Sequence, residues 1–272
     1  MIWWLSMNEL IVLKLGGSVI TRKEEKEFEI NSENLKRISK EIANALNERD
    51  FGLVIVHGAG SFGHLPAKRY ELYKGLRNKT QLMGFSIAHK SMQYLNLHVI
   101  DYLQKSGINA IPYQASAVGI LSNGRLVHFP TTIIKKLVEM NIVPVSHGDV
   151  LIDEKMGIGI LSGDHLVPYL AKKLNATRVI IATDVDGIYT KDPKKNEDAE
   201  FLREINSNTI SKIEEIGTSN AIDVTGGMKR KLQELLELVR FGIESEIISG
   251  TKHGILERAL KGERNLGSII KF

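Results

Sequence analysis

Three lysines and a histidine sit beside glycine turns in a pattern that suits phosphate chemistry. Lys14 precedes the pair Gly16-Gly17, Lys23 follows it by a few residues, and Lys231 lies just past a Thr-Gly-Gly-Met run that holds Gly226 and Gly227. A second turn, Gly58-Ala59-Gly60-Ser61-Phe62-Gly63, has His57 on one side and His64 on the other. A glycine-rich turn between strand and helix lets backbone N–H groups converge on an anion at the positive end of the helix dipole. Two such turns after two early strands predict sites for two phosphoryl groups, and three ammonium groups supply counter-charge for a polyphosphate. A single lysine is ordinarily a solvated surface charge; it is the shared placement beside glycine turns that points to a site.

The second turn also satisfies G-x-G-x-x-G literally, which raises a nicotinamide or flavin site. A dinucleotide turn, however, follows the first strand and is trailed about 20 residues later by an acid for the ribose hydroxyls. Here the turn follows a later strand, and residues 76–84, LRNKTQLMG, contain no acid. No G-x-x-x-x-G-K-[ST] occurs either, so the P-loop is excluded.

The elements that must hold these turns alternate in type. Residues 11–15 form a buried strand, and Leu35, Ile38, Ile42 and Leu46 then recur at helical spacing behind a capping Ser32. Further apolar runs at 53–56, 110–111, 142–145, 179–182 and 243–248 predict strands, and 81–104, a stretch from about Asn208, and 229–240 predict helices. Such alternation argues for an α/β fold in which crossover helices cover a mostly parallel central sheet on both faces. The segments LGGS, HGAGSFGH, SHGDV, LSGD and TDVDG each follow an apolar run directly, on the edge where open α/β sheets bind ligands. Two lobes sharing one sheet, joined near residue 170, are expected rather than two tethered domains.

Composition narrows the function classes. With no cysteine among 272 residues, disulfides, thiolate metal sites and cysteine nucleophiles are excluded. The formal charge of +4 comes from interleaved acids and bases, so it suits an anionic small molecule and does not require nucleic acid. No apolar run reaches the roughly 20 residues of a membrane span. The opening MIWWLSM lacks the basic region of a secretory signal, so a cytoplasmic location is expected. Met7 as the start would leave Trp3 and Trp4 in an upstream extension; otherwise both pack on the body or on a partner chain.

The motifs LKLGGSVIT, VHGAGSFGH, SHGDV, LSGDH, TDVDGIYTKDPKK and DVTGGMKRK occur in an order and at separations that resemble the amino acid kinase family, from about residue 10 to the end. The GSFGH ending of the second turn resembles the branch whose acceptor is isopentenyl phosphate. Relatives acting on carboxylates or UMP generally lack that histidine. The resemblance implies a three-layer α/β/α sandwich over residues 8–272, with a phosphoryl-acceptor lobe (8–170) and a nucleotide-binding lobe (171–272). It further implies ATP with Mg²⁺, a small-molecule phosphate acceptor and a homodimer. Rival readings are a phosphonate or nucleoside monophosphate acceptor, or a nucleotide-sensing module that has lost transfer.

Residue roles follow from the same resemblance. Lys14, Gly16, Gly17 and Ser18 would lie under the ATP phosphates, with Ala59 close by, and Lys23 would stabilise the transferring phosphoryl group. Gly226, Gly227 and Lys231 would meet ATP from the opposite side, while Asp184, Asp186, Gly187 and Tyr189 would hold the nucleotide. Asp164 would aim lysines or hold Mg²⁺, or simply cap a helix; His165 stands where members often carry a second acid, so no direct metal ligand is assigned. The acceptor phosphate would take N–H groups of Gly58, Ala59 and Gly63 and a hydrogen bond from His64. No base is needed, because a phosphate monoester with its second pKa near 6 is already largely dianionic at neutral pH. An apolar tail would lie against Phe85, Ala88, Val150, Gly159 and Ile160, with Met92 on the same helical face. Phe85 suggests a five-carbon tail, and the alternative for this stripe is ordinary core.

Overall fold

The computed structural model describes residues 9–22, 28–191, 193, 196–209 and 226–271, the side chains of 226–231 excepted. Lys23, the side chain of Lys231, residues 1–8 and most of the helix expected from Asn208 therefore lie outside the described residues.

The main sheet has eight strands in the order β12 (Glu204–Ile205), β14 (Ser268–Ile270), β13 (Glu244–Ser249), β9 (Arg178–Thr183), β1 (Leu10–Leu15), β2 (Gly52–His57), β6 (Val143–His147) and β3 (Ala110–Pro112). All neighbours pair in parallel except β13 with β14. This one sheet runs across position 170. Because side chains alternate along a strand, β1 sends Ile11, Leu13 and Leu15 into one core and Val12 into the other. The first core is closed by α2 (Ser32–Glu48), α4 (Thr80–Lys105) and α9 (Ile255–Leu260). The second is closed by α6 (Thr132–Glu139), α7 (Gly163–Leu174) and α8 (Gly226–Val239). Helices on both faces leave no solvated side, which is why β1 and β2 read as unbroken apolar runs. The result is a three-layer α/β/α sandwich.

Lys14 falls on the same side as Val12, one residue before the strand ends. Its stem crosses the core layer and the residue is only 6% exposed, so the ammonium emerges at the sheet's ligand edge. The short helices α1 (Gly17–Ile20) and α3 (Gly60–Arg69) begin at that edge, directly after β1 and β2.

Two local expectations are corrected. The cap of α2 is Asn31, whose side chain accepts the Asn34 N–H, so Ser32 is the first helical residue and not the cap. A second, four-stranded sheet also went unread: β5 (Arg125–His128), β4 (Ile120–Ser122), β7 (Asp149–Asp153) and β8 (Gly157–Leu161), reached through the short helix α5 (Ala115–Val118). Its β4–β5 hairpin turns on Asn123-Gly124, both at positive φ, as a two-residue hairpin loop demands. A small ladder of β10 (Ile188–Tyr189) with β11 (Phe201–Leu202) completes the strands among the described residues.

Candidate active site

The two glycine turns touch each other backbone to backbone. A Cβ on Gly17 would lie 2.3 Å from the Gly60 nitrogen, and one on Gly58 would lie 2.6 Å from the Gly17 nitrogen. Gly60 adopts φ +51°, and a Cβ there would meet the Thr21 hydroxyl at 2.1 Å. The turns are stitched in place: Gly16 N–H donates to the Ala182 carbonyl and Gly58 N–H to the Leu15 carbonyl, both at 2.8 Å. The N–H groups of Ala59, Gly60 and Ser61, at the start of α3, meet no acceptor among the described residues. Adjacent strand ends thus carry two cradles with nothing but main chain between them, and the second presents orphan donors to an anion.

Beside them opens a cavity of about 180 Å³ with a polar end and an apolar end. At the polar end, Lys14 Nζ donates to Asp164 Oδ1 at 2.5 Å, and His64 stands exposed on the rim. Ser162, not Asp164, caps α7 by accepting the His165 N–H at 3.2 Å. That leaves the Asp164 carboxylate facing the cavity and Lys14. At the apolar end stand Ala88 and Met92 from α4 and Val150 and Ile160 from the β7–β8 hairpin.

The expected residues divide as follows. Lys14, Gly17, Gly58, Ala59, Gly63, His64, Ala88, Val150, Ile160 and Asp164 line this cavity. Phe85 does not: it packs, half-buried, behind the wall against Leu72, Ala88, Val150 and Ile158. Gly159 opposes Leu151, and a Cβ there would meet Leu121 and Asp153, so it faces the far side of the hairpin from Val150 and Ile160. The cause is the strand's period of two. Gly16 and Ser18 flank the first cradle. Asp184, Asp186 and Gly187 lie on the neighbouring loop after β9 and Tyr189 ends β10 beyond it; Asp186 takes a hydrogen bond from Lys252 at 2.6 Å. Burial, and secondarily Asp186, push the Tyr189 phenol above its ordinary range. Gly226 and Gly227 open α8.

One pair in the wall was not foreseen. Asp149, in the SHGDV turn, is fully buried; its Oδ2 accepts from His89 Nδ1 at 2.8 Å and its Oδ1 from the Val150 N–H at 2.8 Å. That hydrogen bond raises the His89 pKa, against the opposing effect of burial. A raised histidine pKa adds stability that is fully present below the ordinary value of about 6.5 and is lost as pH rises through the folded-state value. Accordingly His89→Gln should flatten the pH dependence of urea unfolding as pH rises above about 6.5. An unchanged slope would show that the pair is not charged.

The model of the amino acid kinase family matches residues 9–249. The isopentenyl phosphate kinase of Methanothermobacter thermautotrophicus is 42% identical over 267 residues, which is 96% of this chain and 98% of that protein. That of Methanocaldococcus jannaschii is 38% identical over 93% of this chain and 96% of its own length. A crystal structure of an isopentenyl phosphate kinase superposes with a TM-score of 0.84 at 40% identity, covering 97% of this chain and all of that one. The chain belongs to the amino acid kinase family, and its similarity within that family runs to the isopentenyl phosphate kinases.

Proposed function

We propose that the protein transfers the γ-phosphoryl group of ATP to isopentenyl phosphate, giving isopentenyl diphosphate and ADP. The observation that carries this reading is the contact between two main-chain cradles, one of which opens onto a slot walled by Ala88, Met92, Val150 and Ile160. The 171–272 lobe would supply the nucleotide site and the 8–170 lobe the acceptor site. Two anions must approach for transfer, and their repulsion is offset by Lys14 and His64 together with the orphan N–H groups of α3. The acceptor oxygen is already anionic and attacks in line, so His64 binds and orients rather than removing a proton.

Mg²⁺ would arrive with ATP and screen the phosphate charge. Among the described residues no cluster of three or more acids or histidines forms a metal cage. Asp164 alone, already engaged by Lys14, fits an ion held mainly by phosphate oxygens and water.

No helix among the described residues is long and apolar enough to cross a membrane. A homodimer would account for α4, on which Met83, Ile87, Tyr94 and Leu97 recur on one exposed face.

Side-by-side turnover assays with isopentenyl phosphate, fosfomycin and UMP test the acceptor. Preference for either of the last two would overturn the proposal. His64→Ala should lower kcat/KM for the acceptor about 30-fold, the scale of a lost charge-assisted hydrogen bond, while ATP binding by calorimetry stays within twofold. Normal turnover would mean that His64 does not touch the acceptor.

A further inference from the structure

Two buried histidines behind the cradles have no part in the mechanism above. His57 ends β2 and His147 ends β6, in register with each other, and their rings stack at 5.2 Å with 29° between planes. Each is followed by glycine, and each makes the same bond: Nδ1 lies 3.0 Å from the Gly58 carbonyl in one case and 2.9 Å from the Gly148 carbonyl in the other. A carbonyl only accepts, so both rings carry their proton on Nδ1. His57 Nε2 lies 3.1 Å from Asn96 Oδ1; with the ring proton on Nδ1, the amide is assigned in its flipped orientation, so that its Nδ2 donates to the Nε2 lone pair. His147 Nε2 is buried with no partner among the described residues.

In a planar trans peptide the carbonyl and the following N–H point in opposite directions. The imidazole of His57 donates to the Gly58 carbonyl, so the Ala59 N–H of the same peptide points the opposite way, and both Gly58 and Ala59 line the cavity. That N–H is one of the donors without an acceptor among the described residues.

We infer that His57 is a positioning residue: by holding the Gly58 carbonyl it fixes the Gly58–Ala59 peptide so that the Ala59 N–H faces the acceptor phosphate. The twin arrangement at His147 and Gly148 holds the neighbouring strand end in the same way. The rings are neutral, because both are buried and stacked on each other, so a charge on either is opposed by desolvation and by the neighbouring ring. Burial first, and His147 next, push the His57 pKa down to about 3, and burial lowers that of His147. A rigid donor needs no reorganisation as charge builds on the acceptor, which is the advantage of a preset peptide over a mobile side chain.

The inference rests on the acceptor role of this turn, and its test separates the two. Wild-type turnover of isopentenyl phosphate examines the acceptor role. Heteronuclear NMR of the histidine rings examines the positioning role without any substrate: protonation of His57 at Nδ1 is expected, and protonation at Nε2 would overturn the inference. Asparagine places an N–H donor where Nδ1 stood, whereas leucine fills space without one. His57→Asn should therefore retain kcat/KM for isopentenyl phosphate within about threefold, and His57→Leu should lose about tenfold, with the KM for ATP unchanged in both. Equal losses in the two variants, or none in His57→Leu, would overturn the inference. Should His57→Leu fail to fold, the ring spectrum and His57→Asn still decide.

Discussion

Lys14→Met is expected to lower kcat about a thousandfold with the fold intact, the upper end of what removal of one preset charge-stabilising donor costs. Methionine matches the length of the lysine stem and suits the core that surrounds it, where Lys14 is 6% exposed. Only the ammonium is lost. Lys14 Nζ stands against Asp164 and beside both cradles, so it is placed to meet charge on the phosphates as they approach. Without it, the Asp164 carboxylate beside the incoming phosphates would lose its Lys14 counter-charge and add repulsion. The check is kcat at saturating ATP and isopentenyl phosphate, with thermal unfolding as the control for folding. A loss of less than tenfold would remove Lys14 from the catalytic machinery.

Gly58→Ala should be comparably severe for a different reason. Its methyl group would lie 2.6 Å from the Gly17 nitrogen, a main-chain atom that cannot swing aside. Both neighbours of that contact are tied down, Gly58 through the Leu15 carbonyl and Gly16 through the Ala182 carbonyl. The strain therefore separates the two cradles from each other. Misplacement of reacting groups by about 1 Å costs on the order of a hundredfold, and here donor and acceptor are both displaced, so a loss of about a thousandfold in kcat is expected. Circular dichroism should show the secondary structure retained. Near-normal kcat would mean that the contact between the turns is not needed for transfer.

The parts of this site that lie close in sequence were legible; the parts assembled by the fold were not. Lys14 with Gly16-Gly17, and Gly58 to His64, declare themselves because each is one strand, one turn and one helix start. The Lys14–Asp164 pair spans 150 positions and came into view only through the family resemblance, which had Asp164 aiming lysines; the His89–Asp149 pair spans 60, and single-sequence periodicity carries no such information. Asp149 had a faint signal, an acid directly after His-Gly at a strand end, but its burial shows only in three dimensions. Phe85 shares the helical stripe of Ala88, yet the cavity ends before it reaches Phe85's turn. Gly159 sits one residue from Ile160, and on a strand that single step changes faces. The β4–β5 hairpin escaped because three- and four-residue strands carry too short an alternation to read, although Asn123-Gly124 marked its turn.

The most direct test of the central claim is a crystal structure of the ternary complex with a non-hydrolysable ATP analogue and isopentenyl phosphate. The nucleotide's terminal phosphates should lie over Gly16 and Gly17, and the acceptor phosphate on the N–H groups from Gly58 to Gly63 beside His64, its tail between Ala88 and Ile160. An acceptor turn left empty, or filled by the pyrophosphate of an adenine dinucleotide, would contradict the account.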